Sequence, residues 1–185
     1  QLATAEVGQA LNINASVAQI NAALEQYEAR AELAVGASEP AIQDQADIES
    51  LDLTALLATG VTTFAGSPAN RMHNIKVGTA RYHGLLIPPA AIFSFNRFLG
   101  PVTATAGYKP ELVIKHNKTI PEYGGGLCQV STTMFRAAAL AGLGITERRN
   151  HAYAVRYYGT PGFDATIYPP NTDFKFSNDT GGYLL

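Results

Sequence analysis

The sequence holds one cysteine, Cys128, which follows Gly124-Gly125-Gly126-Leu127 and precedes a helical pattern. Consecutive glycines open backbone shapes that other residues cannot take and let a ligand come close. Val130, Met134, Ala137, Ala138 and Ala141 then recur at helical spacing, and Gly142 is a natural stop. This spacing puts Cys128 at or just before a helix N-terminus. Unpaired N–H groups and the helix dipole there favour an anion, so a thiolate is stabilised and the thiol pKa falls. Gly125 and Gly126 are the candidates for offering backbone N–H groups to an oxyanion, with Gln129 beside them. A buried cysteine acting as a small hydrophobe is the competing reading. The glycines argue against it, because a core cysteine needs no bare backbone beside it. A phosphate cradle is excluded by the missing Gly-Lys-Ser/Thr ending.

A nucleophilic cysteine needs a base, and the base needs a group to orient it. Of His73, His83, His116 and His151, the last is best placed, since it opens a stretch of strand composition just past the cysteine helix. Asp164 is the first candidate for the orienting carboxylate, which would fix the imidazole tautomer and stabilise the imidazolium. Register stands against it. If Gly159–Gly162 closes a tight hairpin, Asp164 faces Arg156, roughly 17 Å from His151 at ~3.3 Å per residue. A wider loop or a bulge is then required, and Asp173 and Asn171 are the alternatives. Arg148 and Arg149 are candidates for pairing with a substrate carboxylate, against an equal reading as solvated surface charges. Tyr123, Tyr153, Tyr157 and Tyr158 read as pocket lining or, more often for strand tyrosines, as packing. One cysteine and scattered histidines show no metal-ligand spacing, and no cofactor is implied.

The elements that must position these residues are read from pattern. The chain has 185 residues, 46% hydrophobic and 15% charged, which fits a folded globular protein. A net charge of −2 gives no electrostatic case for nucleic acid. No apolar run reaches the ~18 residues of a membrane span. A single cysteine allows no internal disulfide. With no initiator methionine and no signal peptide, the sequence reads as a trimmed or mature fragment.

Residues 1–57 read as a supporting segment or the tail of a preceding domain, and residues 58–185 as the domain that carries the chemistry. In the first, Ser16 caps a helix with Val17, Ile20, Leu24 and Tyr27 on one face, 31–35 is a short strand, and Asp47 or Ser50 caps a second helix through Leu56 and Leu57. In the second, 61–64 is a strand, and Ser67-Pro68 starts a helix with a capping hydroxyl and proline at the first position. Strands follow at 85–87, 92–95, 112–114 and 119–120. Beyond the cysteine helix lie strands at 145–149, 151–157, 163–167 and 173–176.

The chain resembles the VanW domain family over roughly residues 60–180. The matching stretches are Thr62-Thr63-Phe64, Arg71 with Asn74-Ile75, Phe93-Ser94-Phe95-Asn96 with Leu99-Gly100, Gly107-Tyr108, the run from Gly124 to Thr133, Glu147-Arg148 with His151, Gly162-Phe163-Asp164-Ala165-Thr166, and Asp173 with Phe176 and Asn178. His73 and the Pro88-Pro89 pair depart from the family pattern. Residues 1–57 resemble, weakly, the end of a peptidoglycan-binding domain. The resemblance implies a bacterial, extracytoplasmic protein acting at the cell wall, with membrane attachment only through segments outside this sequence. It also implies L,D-transpeptidase activity dependent on Cys128, and it adds Arg71 and Tyr108 to the substrate-binding candidates. The order of cysteine helix, histidine and Asp-x-Thr resembles transglutaminase- and papain-like enzymes. That order suggests an α+β fold, an antiparallel sheet packed against a central helix with the cysteine at its N-terminus.

The expectation is an acyl-transfer enzyme on peptidoglycan stem peptides. A peptidase or amidase on the same stems shares the site and differs only in its acceptor. A non-catalytic module that binds wall peptides is the third reading, with a blocked Cys128 and a groove elsewhere lined by aromatics and Arg71.

Overall fold

The computed structural model describes residues 7–38, 50–51, 53–115 and 118–185. His116 and Asp47 lie outside the described residues. The chain forms two compact units, Gln1–Asp52 and Leu53–Leu185.

In the first unit, β1 (Gly8–Leu11) leads into α1 (Ile13–Glu25), and β2 (Val35–Ser38) returns antiparallel to β1, with Gly8 opposite Ser38. Asn12 caps α1, its side chain accepting from Ala15 N at 3.0 Å. Ser16, expected as the cap, is instead buried inside the helix and bonded to the Ala34 backbone at 3.0 Å. Val17, Ile20, Leu24 and Tyr27 are exposed.

The second unit is α+β, and every strand pair in it is antiparallel. It runs through α2 (Ala69–Ala80), β3 (Ile92–Ser94), α3 (Phe95–Leu99), β4 (Pro110–Lys115), β5 (Lys118–Tyr123), α4 (Leu127–Leu140), β6 (Ile145–Glu147) and β7 (Lys175–Ser177). The sheet order is β3-β7-β6, and β4 and β5 form a separate hairpin. Alternate residues of the sheet fill the core. Phe93 stacks on Phe176 at 4.7 Å, and Phe174 meets Phe135 of α4 edge to face at 5.9 Å. Such ring pairs add specificity to the burial of large apolar surface.

Helix α4 is buried on more than one side: Leu127, Val130, Phe135 and Ala138 face the core, while Gln129, Ser131 and Thr132 are equally enclosed. The reason is a second layer of backbone laid across the helix. A Cβ on Gly60 would lie 2.2 Å from the Thr133 carbonyl oxygen, so residues 60–64 run directly against α4. Gln129 Nε2 donates to the Thr63 carbonyl at 2.7 Å and to Thr62 Oγ1 at 3.1 Å. Residues 61–64 are therefore extended without being a strand: their polar partners come from a helix. Residues 53–58 are also irregular, so no helix runs through Leu56 and Leu57.

Two further expectations fail for similar reasons. No side chain caps α2, because the cap position falls on Pro68 and not on Ser67, whose hydroxyl accepts from Arg71 Nη1 at 2.9 Å. Residues 151–157 are not a strand: the segment coils into a 3-10 turn at Arg156–Tyr158, and of 163–167 only Thr166 makes a β-bridge, to Arg149.

Candidate active site

Cys128 is the second residue of α4. The turn into the helix is built from Gly124 (φ 84°), Gly125 and Gly126 (φ 113°). These glycines serve tight packing. A Cβ on Gly125 would lie 2.8 Å from Glu111 Cβ, and one on Gly126 would lie 3.0 Å from Ile75 Cγ1 and 3.1 Å from Arg71 Cγ. Asn74, fully buried, donates to the Gly125 carbonyl at 3.1 Å and to the Lys109 carbonyl at 2.9 Å, and accepts from Lys109 N at 2.8 Å. The Gly125 carbonyl is thus pinned inward and Gly125 itself is buried. The Leu127 and Gln129 N–H groups are spent on the Gly124 and Gly126 carbonyls, each at 3.0 Å. In the first turn of a helix the N–H groups have no intrahelical acceptor. The Cys128 N–H, in that first turn, joins the glycine N–H groups as a candidate oxyanion donor.

Cys128 as a residue is half-buried, and its sulfur sits among close neighbours. It lies 3.5 Å from Thr166 Oγ1 and donates its S–H toward the Ile167 carbonyl at 3.6 Å. The His151 side chain is near enough to act on the ionisation of the thiol. The same ring bonds Asp164 Oδ2 through Nδ1, and that oxygen also accepts the His151 backbone N–H at 2.9 Å. Asp164 is 5% exposed. The tight hairpin that stood against this carboxylate does not form. The Arg149–Thr166 bridge sets the register, with Thr166 N donating to the Arg149 carbonyl at 2.8 Å. Counting inward from that pair puts His151 opposite Asp164 and leaves the intervening residues as a wide loop. The loop encloses a cavity of about 230 Å³ bordered by His151, Tyr153, Tyr158, Pro161 and Asp164.

The electrostatics are those of a coupled pair. Burial pushes the Cys128 pKa up, but the hydrogen bond and charge of His151 and the Thr166 hydroxyl outweigh it, leaving the thiol below its ordinary 9.0. Burial pushes His151 down, but Cys128 and Asp164 outweigh it, leaving the imidazole above its ordinary 6.5. The two protons titrate as properties of the pair. Both displacements favour the thiolate–imidazolium form over what the isolated groups would show.

The loop is fastened to the cysteine helix. Thr132 Oγ1 accepts from Ala165 N at 3.1 Å, and Ser131 Oγ donates to the Ala165 carbonyl at 2.7 Å. Two turns after the cysteine, Arg136 donates to the Phe163 carbonyl at 3.1 Å, to the Tyr158 carbonyl and to the Val61 carbonyl at 3.4 Å. The Tyr158 ring packs 5.5 Å from the His151 ring, and burial holds its hydroxyl pKa above the ordinary value, so it stays protonated. Thr132, Arg136 and Tyr158 were not singled out from sequence for these contacts. A polar face repeating along α4 at 129, 132, 133 and 136 was the available signal.

The remaining candidates are scattered. Tyr108 is 3% exposed within the core, and Gln129 is 1% exposed and bonded to residues 62–63, so neither presents surface to a ligand. Arg148 donates to the Gly162 carbonyl and lies over the Phe135 ring at 4.8 Å. Arg149 is exposed. Asp173 accepts from Ser94 Oγ at 2.6 Å and Asn96 N at 2.9 Å, capping the entry to α3, and Asn171 is exposed in a turn. His73 bonds the Gly107 carbonyl at 2.8 Å, and His83 is exposed. Among the described residues, no group of three or more His, Cys, Asp or Glu side chains is arranged to hold a metal ion. No helix of the described residues is long and apolar enough to cross a membrane.

An α+β unit with a cysteine opening its central helix is the class defined so far. Residues 70–185 match the family model described as VanW like protein, and the chain belongs to that family. It is 38% identical over 132 residues to the uncharacterised protein YoaR of Bacillus subtilis, covering 71% of this chain and 43% of the relative. It is 33% identical over 117 residues to the vancomycin B-type resistance protein VanW of Enterococcus faecalis, covering 60% of this chain and 42% of the relative. The chain thus spans less than half the length of these curated relatives. No solved structure matches it.

Proposed function

We propose that this domain is a cysteine-dependent acyltransferase acting on peptidoglycan stem peptides outside the cytoplasm, in the manner of an L,D-transpeptidase. The observation that carries the reading is the Cys128–His151–Asp164 constellation, with the half-buried Cys128 on the first turn of α4. Kinship with a vancomycin-resistance protein supports the cell-wall setting.

In this reading the Cys128 thiolate attacks a peptide carbonyl, forming a C–S bond, and the Cys128 N–H holds the resulting oxyanion. The His151 imidazolium gives its proton to the departing amine as the C–N bond breaks, leaving a thioester. The neutral imidazole then takes a proton from an incoming stem amine, which attacks the thioester, forms the new amide and returns the thiolate. Asp164 keeps the imidazole turned toward sulfur and stabilises its charged form.

The test is mass spectrometry of the protein incubated with defined stem peptides. An acyl adduct on Cys128 that transfers to an added stem amine is expected, and Cys128→Ser should abolish both adduct and product. An adduct resolved only by water would make the domain a hydrolase. Stem-peptide binding without any adduct would leave a binding module, and full activity of Cys128→Ser would end the nucleophile assignment.

A further inference from the structure

Arg71 stands out among the cations of the site for what surrounds it. Its stem packs against the glycine turn: a Cβ on Gly126 would meet Arg71 Cγ at 3.1 Å and the Arg71 carbonyl oxygen at 3.2 Å. Gly126 is two peptide units from Cys128, at most about 7.6 Å between Cα atoms. Its head reaches the loop that carries the base, with Nη2 donating to the Tyr157 hydroxyl at 3.2 Å and the guanidinium 5.0 Å above the Tyr157 ring. Tyr157 meets Tyr158 at 4.6 Å, and Tyr158 packs on His151. Arg71 thus bridges the two walls that hold sulfur and imidazole. Its bonded partners are the Ser67 and Tyr157 hydroxyls, both neutral, and among the described residues no carboxylate lies within salt-bridge distance of it. A guanidinium offers five donors in a planar fork suited to a carboxylate, and two bonds leave much of that fork open.

We infer that Arg71 forms the carboxylate-binding subsite of this active centre, so that the acyl donor carries a free carboxylate close to the carbonyl that Cys128 attacks. The inference rests on Cys128 being the nucleophile proposed above. An internal, fully amidated peptide would leave the Arg71 charge without a counterion. A donor ending in a free carboxylate supplies one and is seated by it.

Two small alkylating probes test the subsite without needing the peptide reaction. Iodoacetate and iodoacetamide both place a CH₂ on sulfur with loss of iodide, but only the first carries a carboxylate. The readout is the ratio of their second-order rates at Cys128, at low salt so that charge is little screened. In Arg71→Gln the iodoacetate-to-iodoacetamide ratio is expected to fall about fivefold or more, and Arg71→Lys should recover part of it. Lys76→Gln, an exposed cation on the same helix, should leave the ratio at the wild-type value. The ratio cancels any general loss of thiol reactivity or folding. An unchanged ratio in Arg71→Gln, or an equal fall in Lys76→Gln, overturns the subsite. A second arm compares stem peptides with free and amidated C-termini. The free form should be favoured by wild type and the preference lost in Arg71→Gln, and equal use of both forms by wild type also counts against the inference. If no peptide acylates Cys128, the proposed reaction fails while the probe ratio still decides the subsite.

Discussion

One carboxylate oxygen, Asp164 Oδ2, holds both the ring and the backbone N–H of His151. Replacing it with the amide of Asp164→Asn keeps the shape but removes the negative charge. His151 should then lose part of its upward shift, and the thiol should lose part of the imidazolium that holds its pKa below 9.0. The thiolate then persists over a narrower range of pH. Iodoacetamide labelling of Cys128 near pH 6 should slow about tenfold for each unit by which the thiol pKa recovers, with the two proteins converging at high pH. Equal profiles would show that Asp164 does not act on the pair. The wild-type dependence follows from the same signs. Catalytic efficiency should rise with pH through a value below 9.0 as the thiol ionises, and fall through a value above 6.5 as the imidazolium loses the proton needed by the leaving amine. A stopped pH–rate series on any acylating peptide checks both limbs. At this scale the sequence was informative for Cys128 and His151, because residue type and a glycine stop carry that information locally. Asp164 was visible as a candidate, but its geometry depended on a register set by the Arg149–Thr166 bridge, which no local pattern encodes.

Among elements, the glycine turn and the segments laid over α4 decide whether the site stays assembled. Gly126→Ala would add a Cβ at φ 113° within 3.2 Å of Ile75 and Arg71. Left-handed strain together with overpacking should cost about 2–4 kcal/mol, read from urea unfolding. A neutral result would mean that α2 and the turn are less tightly coupled than the contacts imply. Arg136→Lys keeps a charge but loses the fork that reaches three carbonyls. Labelling of Cys128 at neutral pH should slow several-fold, approaching wild type again where the free thiol ionises. A variant that is merely less stable would show no such dependence on pH.

The sequence carried the cysteine helix, the β4–β5 hairpin and the neighbourhoods of β3, β6 and β7, all of which have local periodicity or turn residues. It misled at 61–64, 151–157 and 163–167. Their alternating composition suits a strand, but in the structure the backbone of 61–64 and 163–167 finds partners on Gln129, Thr132 and Arg136 of a helix, while 151–157 is held by Asp164 at His151 and coils into a 3-10 turn. Composition reports that a segment is half-buried and extended, and it does not report what covers it. The three glycines carry a related ambiguity, since a close approach of backbone to a neighbouring helix and a close approach to a ligand demand the same residue.

For the molecule as a whole, the core cluster from Ile75 to Phe176, with the residues packed on it, lies entirely within the second unit. A fragment of residues 53–185 should therefore fold cooperatively and label at Cys128 with the same pH profile as the full chain. Loss of the low-pH labelling in that fragment would show that the first unit is needed to build the site. The sulfur, and the arginine that holds the base-bearing loop at Tyr158 and Phe163, belong to the same helix, α4. When that rod rocks in its bed, nucleophile and base are carried together, as two tools clamped to one arm. Alignment between sulfur and imidazole is then less sensitive to breathing of the surrounding sheet.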